Sequence, residues 1–226
     1  MENLTMDIIL QSIGFLLLPV ILVLYWLKAF RQAESRLFWG LLAMAWTFNL
    51  LGNIAWIVHD LVTGTALETL SAIDLLYILR YVLVGAALWL YPAPLPSRAW
   101  SWIVGAMLAA SAVVWAVYFD PAMEISGGNW TGFLGLALYP VLDVGIVAIA
   151  WLRVRATRQS VWGKYVLLLF YSMASYGIAN TVNLTEYVFS SIFGGVLQNV
   201  LWILADVFLL VIVLRADLRQ EKPAEE

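Results

Sequence analysis

The chain has 226 residues, of which 63% are hydrophobic and 12% charged, with a formal net charge of −3 and a mean hydropathy of +0.88. A soluble domain carries roughly twice that share of charge, so the composition excludes a soluble catalytic module and points to an all-α polytopic membrane protein forming one compact domain. The absence of a basic face argues against nucleic-acid binding, the absence of cysteine removes disulfides, thiol nucleophiles and iron–sulfur ligands, and the single histidine, His59, argues against an all-protein zinc site or a bis-histidine haem.

A membrane span needs about 20 mostly apolar residues. Seven such helices are predicted, at roughly 8–28, 37–59, 70–91, 100–119, 133–153, 162–184 and 196–215. The first is too long for a signal peptide, follows acidic rather than basic residues and runs into Lys28, so it is read as a span. On the second, Asn49, Asn53, Trp56 and Asp60 recur at helical spacing and share one face. On the third, Asp74, Tyr77 and Tyr81 share a face, Trp89 lies near the far end, and Arg80 lies about 9 Å along the axis from Asp74. Arg80 is expected to neutralise Asp74 or Asp143. The fourth helix, like the first, offers almost nothing polar and is expected to face lipid. The fifth carries Tyr139 and Asp143 around Pro140, and the sixth carries Tyr176, Asn180 and Asn183 as one stripe. The seventh carries Gln198, Asn199, Trp202 and Asp206.

Orientation follows from the basic residues. Lys28, Arg31 and Arg36 follow helix 1, Arg98 follows helix 3, Arg153, Arg155, Arg158 and Lys164 cluster at the end of helix 5, and Arg215, Arg219 and Lys222 close helix 7. The other loops carry His59, Asp60, Glu68, Asp120, Glu124 and Glu186. The N-terminus is therefore expected outside and the C-terminus in the cytoplasm. Helices 1–3 and 5–7 share a weak repeat, with Pro19 and Pro140 similarly placed.

Asp206 is the most informative residue. It sits in LWILADVFLLVIVLR (Leu201–Arg215), which is otherwise apolar up to its arginine. An ionisable group in hydrocarbon costs a few kcal/mol or more and marks a functional site by default. A carboxyl in an apolar pocket keeps its proton, because desolvation disfavours the charged form. The amides have a plainer reading beside this one, as interhelical hydrogen-bond partners worth about 1 kcal/mol each. The chain has no DDxxD-type acidic pair, no glycine-rich phosphate loop and no residues for a Ser–His–Asp set. What remains suits proton-initiated chemistry on a lipophilic substrate. An acid protonates an alkene or epoxide, and aromatic faces stabilise the cation by up to about 2 kcal/mol each. The candidate aromatics are Trp56, Tyr77, Tyr81, Trp89, Tyr139, Tyr176 and Trp202.

Several stretches carry a family resemblance. GNIAW (Gly52–Trp56), IDLLYILRYVLVGAALW (Ile73–Trp89), LRVRATRQSVWGKY (Leu152–Tyr165) and LWILADVFLLVIVLR resemble segments of the small integral-membrane terpene cyclases of fungal meroterpenoid and indole-diterpene pathways, of paxilline and pyripyropene type, and their bacterial drimentine-type relatives. The resemblance implies a seven-helix terpene cyclase in a bacterial cytoplasmic membrane, acting without a cofactor or metal on a lipophilic, prenylated, diphosphate-free substrate. It further implies functional coupling to a prenyltransferase or epoxidase. The family's helix 7 acid corresponds to Asp206. Its acid after NIAW does not carry over, because Ile57 occupies that position, and Asp60 is expected to substitute one turn later. In this reading Asp206 is the proton donor or its partner and Asp60 the second acid. Asn53 and Asn180 tune them by hydrogen bonds, and Asp74 and Arg80 form a charged pair bounding the cavity.

A second resemblance gives the alternative. DLLYILRY (Asp74–Tyr81) and YPVLD (Tyr139–Asp143) are similar to the seven-helix sensory domains in front of bacterial diguanylate cyclases and phosphodiesterases, which implies a small-molecule sensor or, more broadly, a transport bundle. The short tail after helix 7 leaves no output domain to drive. A covalent retinal is rejected, because Leu210 stands where the Schiff-base lysine is expected.

Overall fold

The computed structural model describes residues 2–64, 70–189 and 194–216. Glu68, Arg219, Lys222 and the acidic tail fall outside them. Seven helices are present among the described residues, with no strand: α1 (Glu2–Arg31), α2 (Arg36–Thr63), α3 (Asp74–Leu90), α4 (Ala99–Ile125), α5 (Trp130–Ala156), α6 (Gly163–Phe189) and α7 (Gly194–Arg215). All but α3 are long and apolar enough to cross a membrane, and α3 has 17 residues. The chain is thus an integral membrane protein by the length and composition of its helices.

Most predicted helices are longer than expected, by up to six residues at one end, because backbone polar groups in hydrocarbon must be satisfied within the helix. The same reason carries α4 past Pro121 to Ile125, beyond the predicted end at 119. The third helix is shorter than predicted. Ser71 holds the start at Asp74: its backbone N–H and its hydroxyl both donate to Asp74 Oδ2, at 2.7 and 3.1 Å, and its Oγ accepts from the Ile73 N–H. This is half of a capping box, and it fixes Asp74 at the helix start. At the other end α2 stops at Gly64, whose φ of +67° closes a left-handed cap back to the Asp60 carbonyl.

Helix neighbours define a ring. In order α1, α2, α3, α5, α6 and α7 each pack on the next, and α7 returns to α1. Only α4 stands outside, against α5 and α6. The expectation that α4 faces lipid therefore holds, and the same expectation for α1 fails. Leu18, Ile21, Tyr25 and Ala29 make one buried stripe of α1, and Tyr25 packs on Trp39 and Trp46 of α2. An apolar helix has no polar stripe to reveal its inner face, so the sequence is silent on this point.

Basic residues also do more than set orientation. Arg153 is 2% exposed and spreads its guanidinium over three carbonyls at the end of α3: Nε to Leu88, Nη2 to Trp89 and Nη1 to Ala93, at 2.6–2.7 Å. The first two are carbonyls that the helix end leaves without intrahelical partners, and the third lies in the turn that follows. Lys28 of α1 and Gln32 just after it do the same for the Ala216 carbonyl after α7, at 2.5 and 3.3 Å. Close approach between α2 and α3 depends on Gly52, since a Cβ there would lie 2.8 Å from Cζ of Tyr77.

Candidate active site

Mid-helix residues from five ring helices meet in one polar layer. Asn49, Asp143, Tyr176 and Asp206 each lie about 18 Å or more from the helix ends at Thr63, Trp130, Phe189 and Gly194, at 1.5 Å per residue. At the centre is Arg80, 8% exposed. Its Nη1 donates to Asn49 Oδ1 at 3.0 Å. Its guanidinium carbon stands 4.5 Å from the Tyr81 ring centre and 5.0 Å from that of Tyr176. Each of those tyrosines donates to a different acid. Tyr81 Oη bonds Asp143 Oδ1 at 2.9 Å, and Tyr176 Oη bonds Asp206 Oδ1 at 2.5 Å. Asn180 Nδ2 donates to Asp143 Oδ2 at 2.7 Å and to Tyr81 Oη at 3.3 Å.

The layer is therefore one chain of contacts, Asp143–Tyr81–Arg80–Tyr176–Asp206. Both acids are about 95% buried. One guanidinium serves two carboxyls through ring faces and hydroxyls, without a direct ion pair to either. Of the two expected partners, Asp74 is not paired with Arg80, and Asp143 is reached through Tyr81 rather than by a contact pair. Asp74 is already engaged by Ser71 and by the Tyr139 hydroxyl, and Tyr81 stands between Arg80 and Asp143. A cation on two aromatic faces keeps its attraction while it avoids the full desolvation of a contact pair.

A second tier lies beside this layer, toward the start of α3. Tyr77 donates to Asn53 Oδ1 at 2.8 Å, Tyr139 donates to Asp74, and the two rings meet edge to face at 6.0 Å. Tyr139 also leans on Tyr81, 6.3 Å away, which joins the tiers. Asn53 thus serves Tyr77 and not Asp206 or Asp60.

Other predicted site residues lie elsewhere. Asp60 stands near the end of α2, 32% exposed and 3.3 Å from His59, about 16 Å along the axis from Asn49. Trp56 is 41% exposed. Trp89 packs edge to face on Trp100 close to the Arg153 carbonyl cluster, at the opposite end of α3 from Asp74. Trp202 is half-buried against the apolar core one turn from Asp206.

The sequence reading missed two residues and under-used a third. Tyr25 and Trp46 are buried, and their Oη and Nε1 have no hydrogen-bond partner among the described residues. Their rings pack at 5.9 Å, and Tyr25 lies within the electrostatic reach of Asp206. Asn49 was visible on the polar face of helix 2, but nothing in its spacing pointed to Arg80. No group of histidine, cysteine or carboxylate ligands that would hold a metal ion occurs among the described residues.

Comparison with protein-family models, with curated proteins and with solved structures finds no match for the chain.

Proposed function

We propose that this protein is a membrane-embedded cyclase that protonates a prenylated, lipophilic substrate and steers the resulting carbocation. The observation that carries the reading is the shared Arg80. Two buried carboxyls face one guanidinium, so two carboxylates would leave a net negative charge in a closed, low-dielectric layer. One proton retained between the acids removes that charge. Asp143 accepts a donor at each oxygen, as suits a carboxylate, whereas only one oxygen of Asp206 has a protein donor. Asp206 is thus the proton-bearing member at rest. Asp143 takes the part of second acid that the sequence reading gave to Asp60.

In the reaction a carboxyl O–H bond breaks as a C–H bond forms at an alkene, or an O–H bond at an epoxide oxygen. The cation closes a ring with another double bond, and loss of a proton from the last cation returns that proton to the acid pair. The sum is an isomerisation with no other reactant. Tyr77, Tyr81, Tyr139 and Tyr176 supply ring faces within the two tiers, each able to stabilise a desolvated cation by up to about 2 kcal/mol. With α3 counted as a crossing, the bundle spans the membrane seven times with its N-terminus outside, in a bacterial cytoplasmic membrane. This agrees with the placement of Lys28, Arg31, Arg153 and Arg215 at one end of their helices.

The test is to incubate membranes with a farnesylated or epoxy-farnesylated indole and analyse for cyclised product. Asp206→Asn and Asp143→Asn should each lower turnover by about 100-fold or more, the usual worth of a general acid. Asp60→Asn should leave it within about twofold. Absence of product from wild type, or full turnover by Asp206→Asn, refutes the proposal. One feature favours a sensor or transporter instead. Arg80 is held by an amide and two rings, an arrangement that the carboxylate of an incoming ligand can displace. Saturable binding of a lipophilic carboxylate, lost in Arg80→Met and without conversion of the ligand, would support that reading.

A further inference from the structure

We propose that the groove between α5 and α6 is the lateral docking slot for the prenyl chain of the substrate, seated so that its reacting end meets Asp143. The inference rests on the cyclase reading and adds where the substrate lies and which acid touches it.

The groove encloses about 910 Å³ and lies on the outer side of the α5–α6 contact. Trp151, Ile178 and Leu197 on its walls are 44–55% exposed, so it opens away from the bundle. Its lining on α6 runs from Phe170 to Thr185, about 22 Å along the axis. It is thus elongated, apolar and within the size of small-molecule sites, about 300–1,000 Å³.

One lining residue is ionisable, and it is Asp143. Asp143 borders the floor with only 4% of its surface exposed and with both oxygens held by Tyr81 and Asn180, and an ionisable group at the edge of a lipid-facing notch is costly and rare. The chain makes room for it there. A Cβ on Gly177 would stand 3.0 Å from the Asp143 Cβ, so a larger residue there would push on the acid and glycine leaves it room between the helices. Through Tyr81 the same carboxyl is joined to Arg80 and onward to Asp206. The groove therefore connects the outside of the bundle to the proton-holding layer at one point. A prenyl chain whose final cation sheds its proton to that carboxylate fits this combination of apolar walls and single acid, Asp143 being the unprotonated member of the pair. An acyl chain of the bilayer uses the walls alone.

The experiment uses the full chain in lipid nanodiscs and a benzophenone-bearing farnesyl ether as photoprobe, with labelled peptides mapped by mass spectrometry. Labels are expected on the segments 140–151 and 170–185, with free farnesol displacing them. A palmitic-acid photoprobe in a parallel arm should label these segments weakly and resist displacement by farnesol. Ala174→Trp and Ala148→Trp, which fill the groove, should lower farnesyl labelling by about tenfold, whereas Leu204→Trp on an exposed face of α7 should not. Labels confined to other helices, or equal labelling by the palmitic-acid probe, overturn the proposal, and this wild-type map needs no variant to fold. Turnover that survives both tryptophan variants overturns the slot and leaves the cyclase reading standing. Groove labelling without any turnover overturns the cyclase reading and leaves an isoprenoid site.

Discussion

Replacing Arg80 by methionine tests whether the polar layer is an electrostatic unit. The substitution keeps most of the side-chain volume and removes the only cation that touches both acid-bearing tyrosines. It deletes one charge-assisted hydrogen bond, to Asn49, worth about 1.5–3 kcal/mol. It also deletes two ring contacts worth about 0.5–1 kcal/mol each, and more where desolvated. The larger loss is the uncompensated charge left on the Asp143–Asp206 pair, since breaking a buried charged arrangement from one side costs about 3–5 kcal/mol. Reversible unfolding of the purified protein by sodium dodecyl sulfate in mixed micelles, followed by far-ultraviolet circular dichroism, should show Arg80→Met destabilised by about 3–5 kcal/mol at pH 7. Adding Asp143→Asn should recover about 1.5 kcal/mol or more, because the amide removes the orphan charge while it still accepts from Tyr81. A cost below about 1 kcal/mol for Arg80→Met, or strict additivity in the double variant, would refute the account of a shared cation.

Arg153→Leu should destabilise the protein by about 3 kcal/mol or more in the same unfolding measurement, because the Leu88, Trp89 and Ala93 carbonyls at and just past the end of α3 lose their charged donor. Arg153→Lys should recover less than about half of this, since an ammonium cannot reproduce the guanidinium fork. Gly52→Ala places a methyl against the Tyr77 ring and should cost about 1–3 kcal/mol with loss of the Tyr77–Asn53 bond. Gly145→Ala, whose added carbon meets the flexible end of Met107 at 2.8 Å, should cost less than about 1 kcal/mol, and equal effects of the two would show that ring rigidity is not the deciding factor. His59→Ala at the partly exposed pair with Asp60 should change stability by less than about 1 kcal/mol, measured by thermal melting.

Much of the site was legible residue by residue. Asp143, Asp206, Tyr81, Tyr176, Asn180 and Arg80 each stand out as polar or amphipathic groups on long apolar helices, where desolvation makes every such group conspicuous. Their partners were not legible. From the sequence Arg80 pairs equally well with Asp74 on its own helix or Asp143 on another, because spacing on one helix gives depth but not the rotation of its neighbours. Asp60 shared a helical face with Asn53, yet a face fixes only direction, and the axial rise leaves it near the end of α2 beside His59. Tyr25 and Trp46 were passed over because an aromatic on an apolar helix gives the same signal whether it meets lipid or an acid.

Hydropathy and the apolar run lengths determined, from the sequence alone, that the chain is helical and lies in a membrane. The expense of burying charge determined that its few mid-helix acids matter. Only the tertiary structure decided that α4 is excluded from the ring while α1 belongs to it, since apolar helices carry no mark of which side faces protein. It alone decided that Asp143 and Asp206 share one arginine through two tyrosines, because that contact is made by side chains from α3, α5, α6 and α7, and their relative rotation is set by packing at positions such as Gly52 and Gly177.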